Sequence, residues 1–572
     1  MKSIKQIGLI TIMMMCFSVF TVSVSGAVYV NKNATGANNG NSWADAYTTI
    51  QAGINDADVG DEEVWVAKVA AEGTYPEAIV MKSGVKLYGG FNGTETELNQ
   101  RNWVTNVTTI NGSTARYGSP AYHVVIMDNI TNSTIDGFTI TGGKADGGGI
   151  NDYGGGFFCY SLNDTNLIAN NKITGNSAYY GGGIYCANSS TPAITNNTIL
   201  GNSTYDYGGG ISCLSSSPEI TNNTISGNST PGPGGGIYCG FSSSAISNNI
   251  ISGNSALQGG GIYCGSSSSA ISNNIISGNS ATGGWGGGGG IFCGSSSSAI
   301  SNNIISGNST TESVGGGGIA CLGSSPEITN NTISGNSATG TYCDGGGISC
   351  SNSSPQIRNT IFYNNNKYDI YESDTDSDPI VIYNDFYGNS DGVYYDEGTT
   401  PYTSVSAMDS AIAECSNNIG LNPLFVGDTL SGDSWTVAPV YNSATFQTTL
   451  TNSSTAWTPN NHSGRLLNPD TSQKRQFVIV SNTATTMTVW GDVTAIAQSG
   501  DTYKIFDYHL QLASPCIDAG YDQYVPNIDF DGEPRPMDVL GIDNNGPLAE
   551  YDIGADEYPG VRPAAKVWEF YQ

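Results

Sequence analysis

Gly181-Gly-Gly-Ile184-Tyr185-Cys186, then after a Ser-containing link Ile194-Thr-Asn196-Asn197-Thr-Ile199, and then Gly201-Asn202-Ser203, is one copy of a phrase that fills residues 154–359. Its cysteine makes the period readable. Cys159, Cys186, Cys213, Cys239, Cys264, Cys293, Cys321 and Cys350 follow one another at steps of 27, 27, 26, 25, 29, 28 and 29 residues. A fixed period of this size means stacked supersecondary units that bury their apolar edges against each other.

Each copy carries three short apolar pieces separated by Gly, Ser and Asn, which are poor helix formers. Helical repeats need ten or more residues at 3.6 periodicity, and none is present here. The unit is therefore read as three brief strands, one turn of an all-β, single-stranded parallel β-helix. Strand alternation assigns the faces. Ile184 and Cys186 point inward and Tyr185 outward, so stacking predicts an Ile ladder and a Cys ladder. Asn197, Asn223, Asn249, Asn274, Asn303 and Asn331 share one corner. There each is expected to turn the chain and hydrogen-bond the backbone of the next turn.

The pairing of Gly-Gly-x-Ile with a downstream Asn motif resembles the repeats of polymorphic outer-membrane proteins. More broadly it is similar to the right-handed, pectate-lyase-like β-helix superfamily, over most of residues 28–425. That resemblance implies a right-handed coil. It says little about activity, because the fold hosts lyases, hydrolases, epimerases, adhesins and tailspikes.

The 572 residues suffice for a long solenoid and one further module. Only 12% are charged, yet the net charge is -30, which disfavours nucleic acid as a partner. Residues 1–27 read as a secretory signal: Lys2 and Lys5, an apolar run from Ile7 to Val24, then Ser25-Gly26-Ala27. No later run is long enough to span a membrane. The expected location is therefore extracellular or at a bacterial cell surface. In that oxidising setting the Cys ladder is still read as reduced and buried. Cys is a compact apolar filler, and ladder members point the same way, a poor geometry for disulfides. Cys415 with Cys516 is a separate disulfide candidate, and Cys343 is expected to be free in a loop.

Residues 28–145 are expected to form an N-terminal cap and irregular first turns. Trp43 to Ala57 is read as a short amphipathic helix, with Ile50 and Ile54 on the side that covers the open end of the stack. Gly73-Thr-Tyr75 and Tyr88-Gly-Gly-Phe91 resemble the entry region of secreted bacterial β-helix proteins. Regular repeats occupy 146–366, degenerate turns 367–430, an antiparallel β module 431–507, and an acidic cap and tail 508–572. In that last segment, Ser514-Pro-Cys-Ile-Asp-Ala-Gly520, Asp531-Gly-Glu-Pro-Arg-Pro536 and Asp552-Ile-Gly-Ala-Asp-Glu-Tyr558 resemble the tail of the choice-of-anchor Q class of secreted bacterial proteins.

Repeat lengths vary at one corner, between Gly-Asn-Ser and the next glycine run. The insertions carry Tyr179-Tyr180, Tyr205-Asp206-Tyr207, Trp285, Thr311-Glu312 and Thr341 to Asp344. Beside that rim, Phe158, Tyr185, Tyr238, Tyr263 and Phe292 occupy the outward position of the first strand. They are expected to form an exposed row, and exposed aromatic strips call for a ligand. Sugar rings lying on Tyr180, Tyr185, Tyr205, Asp206, Tyr207, Tyr238, Tyr263, Trp285 and Phe292 are one reading. Rings stacking on one another to stabilise the sheet are the other.

A polysaccharide lyase needs a base such as Lys, Arg or His, often with calcium. From Ile173 to Ile357 there is none of the three. A glycoside hydrolase needs two acids about 5–9.5 Å apart. That span offers only Asp206, Glu219, Glu312, Glu327 and Asp344, with Glu219 and Glu327 four turns apart. Lys144, Asp146 and Asp152, where the regular turns begin, and the entry loops remain as candidates. The favoured function is therefore a non-catalytic scaffold or adhesin that contacts extracellular glycans, with a pectate-lyase-like lyase or hydrolase as the alternative. Asp529 and Asp531 have calcium-loop-like spacing, although Leu540 stands where the closing glutamate belongs. His123, His462 and His509 are scattered and read as structural.

Overall fold

A computed structural model describes residues 26–57, 62–70, 73–283, 287–311, 315–340, 345–397, 401–426, 433–443, 445–523, 525–536 and 551–557. Residues 1–25 of the expected signal segment, Trp285, Glu312, Cys343 and Asp344 lie outside the described residues.

The chain winds into a parallel β-helix of about twelve turns. Its three faces are long parallel sheets. In the turn quoted above, the first face takes Ile184–Ala187, the second Ala193–Thr195 and the third Thr198–Leu200. Register is kept rung by rung. Cys186 pairs with Cys159 and Cys213, and the row continues through Cys239, Cys264, Cys293 and Cys321 to Cys350. Inward Ile and Cys are fully buried in one continuous core. All ten described cysteines are free. The Cys415–Cys516 expectation is thereby corrected. Cys415 closes the apolar core of the last turn, whereas the Cys516 thiol donates to Asp385 Oδ2 at 3.4 Å.

The corners show why Asn recurs. The expectation that Asn223 and its equivalents turn the chain is corrected: the preceding Asn222 takes the left-handed φ, 57°, and makes the turn. Asn223 then points inward, where its Nδ2 donates to Ile194 O at 2.8 Å and to Asn249 Oδ1 at 3.1 Å. A second ladder repeats this logic at Gly-Asn-Ser. Gly227 supplies the left-handed residue, and Asn228 Nδ2 reaches Ile199 O at 2.9 Å and Asn254 Oδ1 at 3.1 Å. Each ladder satisfies backbone carbonyls that the core would otherwise strand. The second was foreshadowed by the same period in Gly-Asn-Ser.

Helix α1 (Ile50–Asp56) covers the first turn with Ile50, Gly53 and Ile54. Glu77 accepts from the N–H groups of Ile50 and Gln51 and so caps it. The helix is shorter than the sequence suggests. Trp43 lies before it, against Tyr29 and Phe91, and donates its indole N–H to Glu95 O. Helix α2 (Val405–Ala411) places Met408 over the other end of the core.

A six-stranded antiparallel sheet, from Val437–Asn442 to Lys504–Phe506, forms the module. It docks on the third face, where the outward residues become Ile250, Ile275 and Ile304 and join the buried cluster of Leu466, Val478 and Phe506. The tail then lies along the Asn corner. Asn302 and Asn330 donate to Ile528 O and Asp552 O, and Asn359 exchanges bonds with Tyr521.

Candidate functional site

The outward aromatics of the first face are not an open strip. Tyr207 stacks on Tyr238 at 4.4 Å, Tyr238 on Tyr263 at 5.2 Å and Tyr263 on Phe292 at 4.8 Å. Corner residues continue the stack, with Tyr153, Tyr180 and Tyr207 at 5.1 and 4.4 Å. Tyr153 also covers Tyr185 at 4.7 Å. Phe158, Tyr185 and Phe292 keep only 7%, 4% and 2% of their surface, and Tyr238 and Tyr263 are half-buried. The expectation of an exposed row is corrected here: ring faces that a sugar would need are spent on one another.

A local fit explains the packing. Tyr238, Tyr263 and Phe292 lie over Gly240, Gly265 and Gly294, where an added Cβ would meet the ring at 2.7–2.8 Å. Where the outward residue is small, as at Ser212 and Ala320, the residue two further on is Leu214 or Leu322. On the rim itself, Tyr179 and Tyr205 remain exposed at 46% and 57%, 5.4 Å apart. Asp206 is half-buried beside them. The Lys144–Asp146 ion pair of 2.8 Å adjoins this rim.

The acids expected to hold calcium diverge. Asp529 is fully buried, and its oxygens accept from the backbone N–H groups of Glu533 and Glu557. Asp531 turns instead toward His509 Nε2, at 3.0 Å. As for a hydrolytic acid pair, Glu372, Asp396 and Glu397 do come together at the last turns. Glu372 is buried and accepts from the Tyr394 hydroxyl, and burial followed by the nearby Glu397 pushes its carboxyl up to about 9. Glu372 is thus closed off from solvent, whereas Asp396 and Glu397 are half-buried.

The open surface lies on the third face, upstream of the docked module. Outward residues Thr109, Thr139, Lys172 and Thr198 follow in register and are half-buried, and the row ends at Thr224, which is buried at the module's edge. Four rung intervals make a floor of about 19 Å. Trp103, Val104 and Val107 form one wall, and together with Asn170 and Asn196 they enclose a trough of about 770 Å³. Thr198 is shared with a second recess of about 270 Å³, lined by Thr224, Ile250, Val480 and Trp490 at the module's edge. The two recesses adjoin at Thr198 and are together called the channel from Trp103 to Trp490.

Trp103 is held in place from behind. The Arg101 guanidinium lies 4.7 Å from its ring and 4.9 Å from that of Tyr88. Arg101 is itself fixed by Asp136 at 2.7 Å, and Asp136 also accepts from Asn170 Nδ2. On the floor, burial lowers the Lys172 amine from its ordinary range. Sequence reasoning missed this channel. The available signal was the change of outward residue along the third face, from Thr to Ile.

Residues 81–244 and 235–407 match the right handed beta helix region, and the chain belongs to that family. Two solved structures are similar. The pectate lyase Pel9A shares 13% identity, with a TM-score of 0.39, over 93% of this chain and 97% of that one. A tailspike protein, gp49 from Acinetobacter baumannii bacteriophage Fri1, described as a capsular polysaccharide depolymerase, shares 11% with a TM-score of 0.19, over 85% of each chain. No curated protein matches. Among the described residues no helix is long and apolar enough to cross a membrane.

Proposed function

We propose that this protein is a secreted, non-catalytic β-helix scaffold that holds an extracellular glycan in the channel between Trp103 and Trp490. The observation that carries the reading is Trp103, a half-open indole braced by Arg101 beside a row of Thr hydroxyls and Lys172. An indole face accepts the apolar side of a sugar ring. The Thr, Asn and Lys groups match hydroxyl or carboxylate substituents. A trough running along the rungs suits a polymer better than a small ligand, which prefers an enclosed pocket.

The test is a glycan array with the full chain, followed by calorimetry on a hit. Trp103→Ala and Lys172→Ala should each weaken binding at least tenfold, and Tyr238→Ala should leave it unchanged. Failure of the wild-type chain to bind any glycan overturns the reading, as does unchanged affinity in Trp103→Ala. New reducing ends or unsaturated products would replace the scaffold by an enzyme.

A further inference from the structure

Far from the channel, His509 sits where the module, the tail loop and the chain's last described residues meet. We propose that His509, Asp531 and Asp556 bind one divalent metal ion of the zinc or manganese class, which ties the start of the 508–572 tail to its two later loops.

Three independent features support the site. The first is convergence. One ligand atom from each of the three residues lies within 4.8 Å of the others, and His509 Nε2 is 3.0 Å from Asp531 Oδ2. Ligands about 2.0–2.1 Å from one ion sit about 3.0–3.4 Å from each other, at right-angled to tetrahedral geometry. That spacing therefore serves shared coordination as well as it serves a hydrogen bond.

The second is orientation. Asp507 holds the other ring nitrogen, Nδ1, and Arg465 fixes Asp507 at 3.2 Å. A carboxylate on the far nitrogen is the support that metal-binding imidazoles usually carry. With its proton on Nδ1, the ring would present the Nε2 lone pair to Asp531 and Asp556.

The third is space and charge. A cavity of about 20 Å³ adjoins His509, Asp507 and Asp556 and is otherwise lined mostly by apolar side chains such as Ile275, Ile304 and Phe530, so a water-sized ligand would be held from its polar edge. The Asp531 side chain is 20% exposed, which gives the ion an entry. Asp507, Asp531 and Asp556 bring three negative charges to one imidazole, and Arg465 on Asp507 returns one positive charge. A proton on His509 would add one positive charge, whereas a divalent ion adds two. The mixed nitrogen and oxygen donors favour zinc or manganese over calcium, which takes oxygen.

Chelator-treated full-length protein would be titrated with Zn²⁺, Mn²⁺ and Ca²⁺ by calorimetry, and with Co²⁺ by absorption spectroscopy. One Zn²⁺ or Mn²⁺ per chain is expected, with a higher unfolding midpoint and a Co²⁺ visible band. Asp531→Asn should abolish binding, and Asp507→Asn should weaken it about 10–100-fold. Absence of stoichiometric binding by the wild-type chain, binding of Ca²⁺ alone, or binding unchanged in Asp531→Asn would overturn the proposal. The first of these needs no variant. It would identify the group as an imidazolium bridging Asp507 and Asp531.

Discussion

Tyr207 and Tyr238 are stacked with ring centres 4.4 Å apart, although Tyr207 belongs to a corner strand (Ser203–Tyr207) and Tyr238 to the first face (Ile237–Gly240). The contact joins two otherwise separate columns of rings. Tyr153, Tyr180 and Tyr207 come from corner insertions, and Tyr238, Tyr263 and Phe292 from the sheet. Stacked aromatic pairs contribute about 0.5–1.5 kcal/mol beyond their buried area. A double-mutant cycle with Tyr207→Leu and Tyr238→Leu, read by chemical denaturation, should show coupling of that size. Exposed Tyr205→Ala should stay within about 0.5 kcal/mol of the wild type. Zero coupling would mean that the columns are independent.

The repeat, its register and the identity of the inward residues were legible because one period governs all of them. Cys239 stands over Cys264 because each Cys follows an inward Ile at the same offset. The fate of the outward rings was not legible. Whether Tyr185 is open depends on Tyr153, which sits outside the first-face strand and folds across it. The channel was hidden for a similar reason. Trp103 comes from an irregular loop, and its neighbours Thr139, Lys172 and Thr198 come from three successive turns. Outward Ile250, Ile275 and Ile304 were a readable clue that something covers the third face. They look unremarkable until Thr198 and Thr224 are set beside them at the same register position. The tail motif was visible as a pattern, but its chemistry was not. Arg535 and Glu557 form a fully buried ion pair at 3.0 Å, and no local spacing announces that pairing.

Glu372 sets a pH dependence. Its carboxyl is buried beside Glu397 and Asp396, faces the Tyr394 hydroxyl, and titrates near 9 in the folded chain against 4.5 when unfolded. The folded state therefore holds a proton that the unfolded state releases. Stability contributed by the neutral carboxyl is full below about pH 4.5 and is lost as pH rises toward 9. Asp385, held up to about 7 by burial, adds a loss of the same sign at lower pH. Glu372→Gln keeps an acceptor for Tyr394 and cannot ionise. Its melting temperature should fall less than that of the wild type between pH 6 and 9, so that the variant is the more stable at pH 9. Parallel pH profiles for the two proteins would show that Glu372 is already ionised in the fold.

Docking of the module can be tested at a single glycine. Gly201 and Gly253 are equivalent corner residues with left-handed φ of 56° and 65°. Replacing either by Ala incurs the left-handed cost, about 1–2 kcal/mol. Their surroundings differ. A Cβ on Gly201 would sit 1.8 Å from the Phe446 ring, whereas at Gly253 the nearest atom, the Gly491 Cα, is 3.7 Å away. Gly201→Ala must therefore push Phe446 and the hairpin of Val437–Asn442 and Gln447–Thr451 off the corner, and Gly253→Ala need not. Hydrogen exchange should speed up in that hairpin only in Gly201→Ala, with early proteolytic cleavage near Phe446. Adding Phe446→Ala should remove the clash and leave a stability loss close to that of Gly253→Ala. If the two single glycine variants lose equal stability and the hairpin stays protected in both, Phe446 does not rest on this corner in solution. The Ile250, Ile275 and Ile304 patch would then have to hold the module alone.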